Sequence, residues 1–116
     1  MNAALRDFLA ARLPLPGLAA WSARLADRTV THESFVSWLA PAQIEQTLAR
    51  LALASEGLQH QHIHPIRSCW VFEHVRLYLA ARPDGACLAL FMENRPDLPR
   101  AAAENLLDAF TALPAG

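Results

Sequence analysis

Three histidines alternate in the segment His60-Gln61-His62-Ile63-His64, and alternate side chains on an extended strand point to the same side. Neutral imidazoles placed in this way could share a zinc or another transition metal. The segment falls between a helix end and a strand, where solvated polar residues are ordinary, and no carboxylate or cysteine accompanies it at close spacing. The expectation is no metal site, with a small metal-binding protein using His60, His62 and His64 kept as one alternative. A second chemistry would be a thiolate at Cys69 or Cys87 activated by His74 and oriented by Glu73, since a nucleophilic thiol needs a base within reach. Both cysteines sit in apolar strand-like runs, so buried, reduced packing thiols are expected instead. The chain has no GxSxG elbow, no phosphate-binding glycine loop and no dinucleotide fingerprint, and its four glycines leave little material for a backbone cradle. No catalytic residue and no cofactor is expected.

Composition narrows the classes further. A chain of 116 residues that is 53% apolar and 18% charged can bury a core without disulfide or metal staples, and disorder is excluded. One domain over residues 1–116 is expected, with apolar surface to spare for a partner. All ten basic residues are arginines, scattered from Arg6 to Arg100 against eleven carboxylates. With no basic run or stripe, neither nucleic acid nor an anionic membrane is an expected partner. Asp7 and the lack of a long apolar start argue against a signal peptide, and no run reaches membrane-spanning length, so a cytoplasmic protein is expected.

The elements that would carry any site follow from periodicity. Leu5, Phe8, Leu9 and Leu13 predict a helix over residues 3–13, stopped by Pro14 and Pro16. Ala19, Trp21, Ala23 and Leu25 alternate with Ala20, Ser22 and Arg24, predicting a strand buried on one face, with a turn at Asp27 and Arg28. Residues 29–38 predict a more polar edge strand. Pro41 opens a helix with Ile44, Leu48, Leu51 and Ser55 inward, and Gly57 is expected to end it. Its other side holds Ala42, Gln46, Ala49 and Leu53 with Arg50 beside them, less polar than a solvated face usually is.

From Ile66 a strand through Ser68, Trp70 and Phe72 is expected, then Glu73 and His74 as a connection, and a strand over 75–81. Pro83, Asp84 and Gly85 signal a hairpin turn. Residues 86–92, apolar on both faces, predict a central strand. Asp97 offers a helix cap ahead of an inward stripe of Ala103, Leu106, Leu107, Phe110 and Leu113. Trp21, Trp38 and Trp70 are expected to fill the core between sheet and helices.

This order of helix, two strands, helix, three strands, helix resembles the roadblock/LC7 family. The segments most similar to it are LPGLAAWSARLAD, for the first strand and turn, and AARPDGACLALFMENRPDLPRAAAENL, for the last hairpin, final strand and closing helix. Asp27-Arg28 stands where the family usually has a glycine. The resemblance implies an α+β fold with a five-stranded antiparallel sheet in the order 2-1-5-4-3, the middle helix on one face and the terminal helices on the other. It implies a homodimer formed through the middle helix and the edge of the meander, matching Ala42, Gln46, Ala49, Arg50, Leu53, Ile66, Ser68 and Trp70 here. It further implies a non-catalytic module that regulates or scaffolds a small Ras-like GTPase. A secretion-type chaperone that exposes apolar surface to a protein client is the other alternative, weakened by a near-neutral charge balance of −1.

Overall fold

The computed structural model describes residues 2–13, 15–60, 67–82, 85–98 and 100–112. The elements run α1 (Asn2–Arg12), β1 (Leu18–Arg24), β2 (Val30–Ser34), α2 (Pro41–His60), β3 (Arg67–Val71), β4 (Val75–Ala81), β5 (Cys87–Glu93) and α3 (Arg100–Thr111). The five strands form one antiparallel sheet in the order β2-β1-β5-β4-β3, as the family resemblance implies.

Two apolar layers hold the helices to opposite faces. On one face α1 (Leu5, Phe8, Leu9) and α3 (Ala103, Leu106, Leu107, Phe110) close over Trp21, Tyr78, Leu88 and Leu90. On the other, Ile44, Leu48 and Leu51 of α2 close over Ala20, Leu77, Leu79, Ala89 and Phe91. Alternate residues of β5 feed alternate layers, which is why its sequence is apolar throughout. The first strand departs from the one-sided pattern expected of it: β1 lies between β2 and β5 and is buried on both faces. Small residues at Ala19, Ala20 and Ala23 hide this from a periodicity reading. Ser22, on the α2 side, is fully buried and its hydroxyl has no hydrogen-bond partner among the described residues.

Local chemistry sets the ends of these elements. In the β1–β2 turn the Arg28 amide donates to the Leu25 carbonyl at 2.9 Å and the Leu25 amide to the Thr29 carbonyl at 2.8 Å, with Arg28 at φ 73°. This is a tight turn closed by a left-handed residue, the place a glycine usually takes. The Thr29 amide donates to Asp27 Oδ1 at 2.9 Å, and Thr29's hydrogen bonding holds the Asp27 carboxyl below its ordinary range. Gly17 and Gly85 also take left-handed turn positions, at φ 81° and 92°.

Strand β2 ends at Ser34, four residues before the expected Trp38. The Ser34 hydroxyl donates to the Val36 and Leu39 carbonyls at 2.9 and 3.0 Å, satisfying in a turn groups that a longer strand would pair. At the start of α2 the Ala40 amide is capped by Gln43 Oε1 at 2.9 Å, with Pro41 in the first turn. Gly57 does not end α2, which continues to His60; a glycine inside a helix costs only about 1 kcal/mol. No helix among the described residues is long and apolar enough to cross a membrane.

Candidate interaction surface

Strand β3 is an edge, paired among the described residues only with β4. Its register, Arg67↔Ala80, Cys69↔Tyr78, Trp70↔Leu77 and Val71↔Arg76, assigns its side chains by the partners they face, because directly opposed residues share a face. Trp70 stands on the α2 side with Leu77, and Phe72, two residues on, points the same way. Val71 and Cys69 stand on the α1/α3 side. Trp70, Val71 and Phe72 keep 40%, 66% and 50% of their surface exposed, three consecutive large apolar residues on an open edge.

Side-chain contacts fix this edge at both ends. Arg67 Nη2 reaches Asp108 of α3 at 2.9 Å. At the other end the Asn94 side chain donates to the Phe72 and Glu73 carbonyls at 2.8 and 3.3 Å, while accepting from Arg76 Nε at 2.7 Å. The Asn94 amide also donates to the His74 carbonyl at 3.0 Å. One side chain thus joins the β3–β4 turn to the end of β5.

On α2 the expected division holds where it is described: Ile44, Leu48 and Leu51 are buried, and Ala42, Gln46, Ala49, Arg50 and Leu53 are exposed, Leu53 at 69%. Ala49 and Leu53 lean toward the β1–β2 hairpin, where they line a shallow groove with Val30, Arg24 and Arg28. Arg50 follows Ala49 by about 100° around the helix and stands on the other flank. Both the outer face of α2 and Trp70 therefore open on the same side of the sheet, but at separate places rather than as one stripe. Ile66, Leu113 and the side chains of Ser55 and Ser68 lie outside the described residues.

Other expectations are corrected. Cys69 is exposed while Cys87 is buried, both as free thiols; Cys69 lies on the edge strand β3 and Cys87 on β5 in the middle of the sheet. Of the three tryptophans only Trp21 is in the core, with Trp38 half exposed and Trp70 nearly so. Among the described residues no three His, Cys, Asp or Glu side chains gather as a metal site, but His62, His64 and the side chain of His60 lie outside them. Sequence reasoning missed the loop residues Phe35 and Trp38 as surface groups, since aromatic residues in a strand-like run read as core, whereas the edge strand around Ile66 to Phe72 was expected at an interface.

No family model matches the chain, and no curated protein matches it. Solved structures do. An MglB with a tetrameric arrangement aligns at TM-score 0.66 and 17% identity over 94% of this chain and 86% of its own. The gliding protein MglB from Thermus thermophilus aligns at 0.60 and 17%, covering 95% of this chain and 84% of that one. The roadblock/LC7 domain from Streptomyces avermitilis aligns at 0.57 and 14%, covering 87% and 88%. At such identities the likeness is one of architecture, and the fold of this chain is the roadblock/LC7 fold.

Proposed function

We propose that residues 1–116 act as one non-catalytic roadblock/LC7-like domain that pairs with itself and offers the paired surface to a small Ras-like GTPase in the cytoplasm. The observation that carries this reading is the exposure of Trp70 and Phe72 at the open edge β3, on the same side of the sheet as exposed Leu53. An unpaired edge with apolar side chains is an aggregation hazard unless another chain covers it. Pairing through β3 and α2 about a two-fold axis would cover it twice at once, and burying the exposed half of each large side chain contributes roughly 1 kcal/mol. Self-assembly of an MglB in a tetrameric arrangement supports self-association as a property within reach of this fold, and the GTPase partner rests on the family resemblance.

The test is solution mass by light scattering for the wild type and for Leu53→Glu and Trp70→Glu, whose positions are exposed and whose folds should survive. The expected wild type is a dimer of the 12.8 kDa chain, made monomeric by either charge at unchanged circular dichroism. A wild-type monomer at micromolar concentration would sink the paired reading. The GTPase is tested separately, by binding of GDP-loaded and GTP-analogue-loaded Ras-like GTPases to the dimer; equal absence of binding in both states removes that part alone.

A further inference from the structure

A pair formed through β3 could take several registers, and the edge itself distinguishes between them. The Phe72 amide donates to the Val75 carbonyl at 2.8 Å, one step beyond the pair Val71↔Arg76. In an antiparallel ladder hydrogen-bonded pairs alternate with non-hydrogen-bonded ones, so residues 68, 70 and 72 turn their backbone groups to β4. The N–H and C=O groups of Arg67, Cys69 and Val71 consequently point away from the sheet.

The two ends of this edge carry opposite charges. Arg67, at the start of β3, is exposed, with Nη2 at 2.9 Å from Asp108 Oδ1 and 3.5 Å from Thr111 Oγ1, and a guanidinium has further donors to give. Glu73 stands at the turn after β3 with its side chain 87% exposed, 3.7 Å from the exposed His74 ring. Between the two charges lie the exposed Cys69, Trp70, Val71 and Phe72. A strand that is basic at one end and acidic at the other is complementary in charge to an antiparallel copy of itself.

We infer that β3 meets β3 of a second copy antiparallel, with the two-fold axis at Trp70; this rests on the self-pairing proposed for the chain and fixes its register. Trp70 then opposes the partner's Trp70 on the α2 side as a non-hydrogen-bonded pair, the closely spaced kind. On the α1/α3 side Cys69 opposes the partner's Val71, and their outward N–H and C=O groups exchange both ladder hydrogen bonds. One step further out, Arg67 of each copy reaches the turn that carries Glu73 of the other, so opposite charges meet at both ends of the contact. A centre at Cys69 sets Arg67 against the partner's Val71, and a centre at Val71 sets it against the partner's Val75. Both of those leave the charges unmatched.

The test mixes two charge-reversed chains. Arg67→Glu and Glu73→Arg each put like charges at both ends of the contact, and each alone should pair roughly ten-fold more weakly than the wild type. Mixed in equal amounts they should form a heterodimer of near wild-type affinity, read by native mass spectrometry. Loss of the Arg67–Asp108 contact alone could not give that rescue. The native thiol reports the register independently, with glutathione disulfide as oxidant, itself reduced to glutathione as a protein disulfide forms. Val71→Cys should cross-link the copies through Cys69 and the introduced thiol, because opposed hydrogen-bonded residues lie about 5.5 Å apart at Cα. The wild type should not, because Cys69 and the partner's Cys69 are then diagonal, about 7–8 Å apart. A mixture that shows no preference for the heterodimer, a Val71→Cys chain that does not cross-link, or a wild type that does, overturns the Trp70 centre and leaves the pairing standing. A wild-type monomer removes both.

Discussion

Arg28 holds a left-handed backbone, φ 73°, at a point where the β1–β2 connection must turn within a few residues. A side chain in that region costs about 1 kcal/mol relative to glycine. The expected outcome is that Arg28→Gly melts higher than Arg28→Ala by an amount equivalent to about 1 kcal/mol, measured by thermal unfolding at neutral pH. The alanine variant is the proper reference, because both substitutions remove the arginine side chain and only the backbone preference differs. The turn itself was legible from Asp27 and Arg28, since aspartate caps such turns through its own carboxylate, here toward the Thr29 amide. The left-handed conformation was not, because nothing in the residue type of an arginine announces it.

At the scale of elements, the β3–β4 hairpin depends on a residue outside it. Asn94, just after β5, uses both ends of its side-chain amide on Phe72, Glu73 and Arg76. Asn94→Ala would leave those groups to water or to one another, and is expected to cost about 1–3 kcal/mol by chemical denaturation. Hydrogen exchange should locate the loosening at residues 72–76, with α2 unaffected. The hairpin was readable from the two alternating runs on either side of Glu73 and His74, and the turn at Gly85 from its glycine. The clamp was not, because Asn94 is about twenty residues from the turn in sequence and joins it only through the pairing of β4 with β5. The same limit explains the length of β2. Its aromatic residues 35 and 38 favour a strand locally, and the Ser34 hydroxyl ends it by bonding across a turn.

For the whole molecule, the balance between burial and exposure bears on stability. If the chain pairs through β3 and α2, part of its apolar burial belongs to the dimer, and folding is coupled to association. Its melting temperature should then rise with protein concentration, by several degrees over a hundred-fold range, and that dependence should vanish in Trp70→Glu. Calorimetry at two concentrations would decide it. The sequence by itself determined the order of elements, the two-sided burial of β5 and the inward stripes of α2 and α3, because these are written in local period and in the turn residues, whereas the expected caps at Gly57 and Asp97 do not mark the ends of α2 and α3. It also carried enough of the family's order to anticipate the sheet sequence β2-β1-β5-β4-β3. Only the tertiary structure decided that β1 is covered on both faces, that Cys69, Trp38 and Trp70 are exposed while Trp21 is buried, and that Leu53 and Trp70 open on one side at separate places. An apolar residue carries the same local signal whether the next layer covers it or stops short, and which of the two happens depends on where three helices end over five strands.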